Sequence, residues 1–160
     1  MPRGNRKIQR IVIAPDPVYN SVLISKFVNF VMKEGKKTAA QKIVYGALEK
    51  LADKKKGAAL KLFEQAMEAV RPQVEVRSRR VGGANYQVPM PVSGGRQNAL
   101  AFRWVIGAAS SRKGTGMQDK LASELFDILE GTGGAMKKKE EVHRMADANK
   151  AFAHFARFSR

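Results

Sequence analysis

"RSRRVGGANYQVPMPV", residues 77–92, cannot be helical: a glycine pair interrupts it and two prolines sit two residues apart. Val74 and Val76 alternate with Glu75 and Arg77 before the glycines, and Tyr86, Val88, Met90 and Val92 alternate with Gln87, Pro89 and Pro91 after them. A period of two on both sides of Gly82-Gly83 predicts a β-hairpin over about residues 73–92. Pro89 and Pro91 share a parity, so their missing N–H groups point to one side and the return strand is an edge. A lone ribbon is marginal in water. It should therefore lean an apolar face of Val74, Val76, Val88 and Met90 on helices, on a partner, or on both.

The flanking sequence has the helical period instead. Leu23, Phe27, Phe30 and Val31 predict a first helix over residues 20–34, stopped by Gly35. Ala40, Ile43, Val44, Ala47, Leu48 and Leu51 form the clearest stripe, with Thr38 and Gln41 as a capping box and "DKKKG" as the close. A third helix turns Leu62, Phe63, Ala66, Met67 and Val70 inward and ends before Pro72. Beyond the ribbon, Ala101, Trp104, Val105 and Ala108 predict a helix over residues 96–111. Met117, Leu121, Leu125, Ile128 and Leu129 predict the next, with Thr115 and Gln118 as a second capping box, and Val142, Met145 and Ala146 a last one beginning near Lys137. Residues 1–19, with "APDPVY" at their end, read as a basic, extended arm that should move freely when the protein is alone. The expected fold is thus mainly α: a single domain over residues 20–160 of about six helices, with a protruding two-stranded β-hairpin between the third and fourth.

A chain of 160 residues is the size of one domain with one core. Thirty Lys and Arg against 14 Asp and Glu leave +16, a self-repulsion that a polyanion would relieve, and nucleic acid is the first candidate. The longest apolar run, "WVIGAA" at 104–109, is too short to span a bilayer, and the run after the first basic residues is too short for a signal peptide. The absence of cysteine excludes disulfides, thiolate nucleophiles and Cys-based zinc sites and fits the cytoplasm.

Nothing points to catalysis. His143 and His154, eleven residues apart, would lie about 16 Å from each other on one helix, too far to share a metal ion. Glu140 and Glu141 follow three lysines as in a solvated helix start, and "RVGGAN" lacks the lysine and hydroxyl residue of a phosphate-binding loop. No cofactor and no metal are expected. The cations divide. Lys54, Lys55 and Lys56 complement a helix end, whereas Lys137, Lys138 and Lys139 at a helix start oppose the dipole and suggest an external anion. From Arg71 to Arg103 there are six arginines, no lysine and Glu75 as the only acid. Arginine's fork grips phosphate in two places, which favours nucleic-acid contact over a merely solvated face. Trp104 reads as core, and Tyr86 near the ribbon tip as a possible base contact.

Further motifs fall in order along the chain: "PDP" at 15–17, "GKKTAAQKIVYGAL" at 35–48, "RPQVEVRSRRVGGANYQVP" at 71–89, "ALAFRW" at 99–104 and "KKKEEVHRMADANKAFAHF" at 137–155. Over nearly its whole length the sequence resembles the bacterial type of small-subunit ribosomal protein seven. That resemblance implies a primary binder of small-subunit (16S) rRNA in the 3′ major domain, one that nucleates assembly of the head and lies near the tRNA exit site and mRNA path. It also implies other small-subunit proteins as neighbours, protein eleven among them. Carried over residue by residue, rRNA contacts fall on Arg3, Arg6, Lys7 and Arg10, on Lys36 and Lys37, on Arg77, Arg79 and Arg80, and on Arg96, Arg103, Arg112 and Lys113. Val81, Gly82, Gly83, Ala84, Asn85 and Tyr86 would approach tRNA and mRNA. Two departures stand out: "SGGRQNAL" keeps Arg96 alone where relatives place several arginines and a proline, and "FARFSR" replaces the usual Tyr-Arg-Trp close. The competing reading is a DNA-binding regulator, with a helix-turn-helix at "EGKKT" and Gln41 and Lys42 near the start of its recognition helix. It leaves the arginine-loaded ribbon without a purpose. An enzyme acting on RNA would lack a base or metal cluster.

Overall fold

A computed structural model describes residues 12–158. Helices α1 (Val22–Val31), α2 (Lys37–Lys55) and α3 (Ala59–Val70) lead to strands β1 (Val74–Val81) and β2 (Ala84–Pro91). Helices α4 (Gly94–Ser111), α5 (Met117–Leu129) and α6 (Gly134–Ala148) follow, then a C-terminal 3-10 helix, Lys150–Phe158. The expected architecture stands, six α-helices with one hairpin between the third and fourth; the 3-10 helix was not foreseen.

One core holds the helices together. Phe27 lies between Phe63 and Phe102, at ring-centroid distances of 5.1 and 5.2 Å, and all three rings are buried. Leu48 and Leu51 of α2, Met67 of α3 and Leu121 and Leu125 of α5 close around them. Helix α2 packs on α1, α3 and α5, as its long stripe requires. At Gly46 the end of the Gln118 side chain of α5 occupies the space a Cβ would take.

Several local expectations are corrected. Helix α1 ends at Val31, three residues early, because Met32 leaves the helical region with ψ 132°, and Glu34 and Gly35 then turn the chain at positive φ (52° and 72°). Ile24 and Val28 fill its inner face, while Phe30, read as inward, is 40% exposed at the stripe's edge. Neither capping box forms: α2 begins at Lys37, which places Thr38 inside the first turn, and α5 is preceded by Gly116. Packing, not a cap, fixes both starts. Helix α6 begins at Gly134, so Lys137, Lys138 and Lys139 lie past its first turn and the dipole argument for them lapses.

The ribbon keeps its predicted span but not its predicted face. Gly82 and Gly83 have φ of 57° and 89°, the two positive values of a type I′ turn. A two-residue turn pairs residues of opposite parity. Val74 and Val76 therefore stand opposite Pro91 and Pro89, whereas Val88 and Met90 stand opposite Arg77 and Glu75 on the other face. Beyond the strands, the Val92 amide donates to the Gln73 carbonyl at 3.0 Å. By the alternation of an antiparallel ladder, that bond puts Pro89 and Pro91 in the pairs that exchange none, as an edge strand demands. The ribbon leans on α6 and the 3-10 helix.

From Asp16 onward the supposed arm is pinned. The Asp16 carboxylate is 3% exposed and accepts the amides of Val18 and Tyr19, both at 3.1 Å, and the Tyr45 hydroxyl at 2.6 Å. Burial first, and then the hydrogen bond to Asp16, push the Tyr45 phenol up to about 12. A raised phenol pKa means that the fold favours the neutral hydroxyl. This contribution is complete below pH 10.0 and is lost as pH rises towards 12. Tyr45→Phe should cost about 1 to 2 kcal/mol near neutral pH, where a buried acceptor loses a donor. Urea melts of both proteins across that alkaline window should show the gap closing; a constant gap would contradict the linkage.

Candidate nucleic-acid interface

The three ribbon arginines, read as one group, are separated by the register. Arg77 and Arg79 share the face of Tyr86, Val88 and Met90, and Arg80 lies on the opposite face, across from Asn85. Arg77 is held by Glu75: its Nε donates to Oε1 at 2.6 Å and its Nη2 reaches the same oxygen. Arg79 is half-buried and sets Nη2 3.7 Å from the Met90 sulfur, a weak acceptor. Arg80 is exposed and makes no hydrogen bond or ion pair with the described residues. The other Glu75 oxygen accepts Nε of Arg96 from α4 at 3.2 Å. Glu75 is only 8% exposed, a buried carboxylate between two arginines. The one signal for it in the sequence was its isolation as the sole acid among six arginines.

On the helices the candidates also differ in freedom. Lys36 pairs with exposed Glu34 at 2.7 Å, a solvated bridge of little weight. Lys37 and Lys113 are exposed and unpaired among the described residues. Arg103 is exposed, with its guanidinium 6.0 Å from the Phe30 ring centre. Arg112 has an internal task. Its Nε and Nη2 donate to Glu124 Oε2 at 3.0 and 2.5 Å, and Nη2 also reaches Asp127. The remaining Glu124 oxygen accepts the Ala135 amide at 2.9 Å, so one buried carboxylate joins the end of α4, the middle of α5 and the start of α6. Burial works against the Arg112 charge, but the hydrogen bonds to Asp127 and Glu124 outweigh it and raise the pKa. Arg3, Arg6, Lys7 and Arg10 lie outside the described residues.

The lysine runs are largely accounted for. Lys139 donates to the Ala69 carbonyl near the end of α3 at 2.6 Å, and Lys138 pairs with Glu141 at 2.8 Å, leaving Lys137 exposed and unpaired among the described residues. Lys55 pairs with Glu130 and, like Lys54, sits over the Phe126 ring, which agrees with a structural role at the end of α2.

At the tip, Gly82, Gly83, Ala84 and Asn85 are exposed, and the backbone of Val81 pairs with Ala84. Tyr86 is placed differently from the expectation of a base contact. Its ring lies 5.1 Å from Phe152 and 5.2 Å from Phe155 of the 3-10 helix, and it is half-buried there. The two phenylalanines went unnoticed in the sequence, though their three-residue spacing puts them on one side of a tight helix. His143 Nε2 accepts the Gln73 amide at 3.3 Å, and His154 Nδ1 lies 2.8 Å from the Ala151 carbonyl. Among the described residues no cluster of ligating side chains could hold a metal ion, and no helix is long and apolar enough to cross a membrane.

The sequence that builds this basic helical body and its arginine-bearing ribbon matches a known family. Residues 2–150 match the model for ribosomal protein S7p/S5e. The chain belongs to that family. Its relatives include the small ribosomal subunit protein uS7 of Thermosipho melanesiensis, 56% identical over 155 residues, covering 97% of this chain and 99% of the relative. That of Aliivibrio salmonicida is 55% identical with the same coverage, and that of Thermosipho africanus 57% identical over 89% of this chain and 92% of the relative. The chain is accordingly a ribosomal protein of the small subunit, a structural component and not an enzyme, located with the ribosome in the cytoplasm. The regulator reading falls with this finding. Gln41, its proposed reader, is half-buried with its amide nitrogen 3.5 Å from the Tyr45 hydroxyl.

Proposed function

We propose that this chain is a primary binder of 16S rRNA in the 3′ major domain, that it nucleates assembly of the small-subunit head, and that the ribbon tip stands near exit-site tRNA and the mRNA path. The observation that carries the reading is a set of exposed cations, Lys37, Arg80 and Lys113, that no acid neutralises among the described residues of a chain with net charge +16. Such side chains bear the cost of mutual repulsion in the free protein, and backbone phosphates remove it. Exposed Lys36, Arg77 and Arg103 and half-buried Arg79 and Arg96 join them, together with the basic residues of the arm. Arg112 contributes by shaping the α4–α5 corner beside Lys113. At the tip, Gly82 to Asn85 offer a narrow, uncharged end suited to close approach, while Tyr86 is reserved for the 3-10 helix. Protein eleven and other small-subunit proteins are the expected neighbours.

The test is a triple substitution, Lys37→Ala, Arg80→Ala and Lys113→Ala, assayed on a 3′ major domain rRNA fragment. Each lost phosphate contact should lower the slope of log affinity against log salt by about one unit, so the slope should fall by about two to three. A matched variant at Lys54 and Lys55, which lie over Phe126, should leave it unchanged. A triple variant with wild-type affinity and slope would contradict the assignment.

A further inference from the structure

We propose that Glu75 is a positioning residue that turns Arg77 and Arg96 into a two-pronged clamp for a backbone phosphate. The inference rests on the rRNA reading above and gives that interface a defined anion site. Each arginine spends its inner edge on the carboxylate. Arg77 uses Nε and Nη2 on Oε1, and Arg96 uses Nε on Oε2. Nη1 of Arg77 and both Nη groups of Arg96 have no acceptor among the described residues. The side chains of Arg77 and Arg96 remain 52% and 40% exposed, against 10% for Glu75. Hung on the two oxygens of one carboxylate, the guanidinium groups are close neighbours whose mutual repulsion the buried charge offsets. The trio keeps a net charge of +1 and presents donors of the kind that grip phosphate bidentately.

Simple electrostatics and positioning make opposite predictions for Glu75→Gln. Removing a negative charge from a cationic surface should tighten RNA binding if charge alone matters. If Glu75 holds the clamp, binding weakens, because the amide is a poorer acceptor and the two arginines scatter. The experiment measures fluorescence anisotropy of a 3′ major domain rRNA fragment at fixed salt with wild-type protein, Glu75→Gln, Arg77→Ala with Arg96→Ala, and the combination of all three. Glu75→Gln should lose affinity about three- to tenfold, and should lose nothing further in the background that lacks both arginines, a coupling that a general loosening of the ribbon would not produce. Circular dichroism melts accompany each variant. Should Glu75→Gln loosen the ribbon, Glu75→Asp, which keeps the charge but is too short to reach both guanidinium groups, should show the same loss. Equal or tighter binding by Glu75→Gln, or an equal loss in both backgrounds, would overturn the clamp. Failure of the wild-type protein to bind the fragment would overturn the rRNA reading itself, and that outcome is visible without any variant.

Discussion

Arg112→Ala should lower the free energy of unfolding by about 3 to 5 kcal/mol, the cost of leaving a buried carboxylate without its cation. Glu124 is 1% exposed, and the Ala135 amide can satisfy only one of its oxygens. Without Arg112 the other oxygen loses two hydrogen bonds and Asp127 loses its link. Arg112→Lys should recover only a fraction at neutral pH, because an ammonium cannot donate from two nitrogens in a fixed plane. Urea denaturation with an unchanged m value reads the loss directly. An unfolding free energy for Arg112→Ala within about 1 kcal/mol of wild type would mean that the α4–α5–α6 corner does not depend on this network.

The sequence made the outline readable because periodicity is a local property. The alternation around Gly82-Gly83 and the stripe from Ala40 to Leu51 each required only a stretch of chain, and both elements are where they were expected. What it concealed was relational. The ribbon's faces depend on the pairing that a two-residue turn imposes across strands, so Val74 and Val76 were grouped with the wrong partners. Three buried acids, Asp16, Glu75 and Glu124, look like ordinary surface charge until their donors arrive from distant elements: Tyr45, Arg96 and Arg112. For the same reason the intramolecular partners of Arg112 and of Tyr86, Glu124 and Asp127 for the one and Phe152 and Phe155 for the other, could not be read from the sequence. The capping boxes had the right residue types two positions too far into α2 and one too far ahead of α5. Charge count pointed to the partner class from composition alone; which cations are free to meet that partner depends on the neighbours.

The central claim is that unneutralised cations on the described body and ribbon, together with the basic residues of the arm, meet the phosphates of small-subunit rRNA. If about six phosphates are neutralised, log affinity for a 3′ major domain fragment should fall against log salt with a slope of roughly −4 to −5. Between about 50 and 200 mM monovalent salt that slope amounts to a loss of roughly 250- to 1000-fold. The six are accounted for by Lys37, Arg80 and Lys113, the one phosphate gripped by the pair that Glu75 holds, and two residues of the arm. The most direct measurement is therefore an equilibrium binding titration of the wild-type protein on that fragment at several salt concentrations, with an unrelated RNA of equal length as reference. The account predicts the steep slope on both RNAs, with the fragment bound more tightly throughout. A flat salt response, or equal affinity for the two RNAs at every concentration, would contradict it.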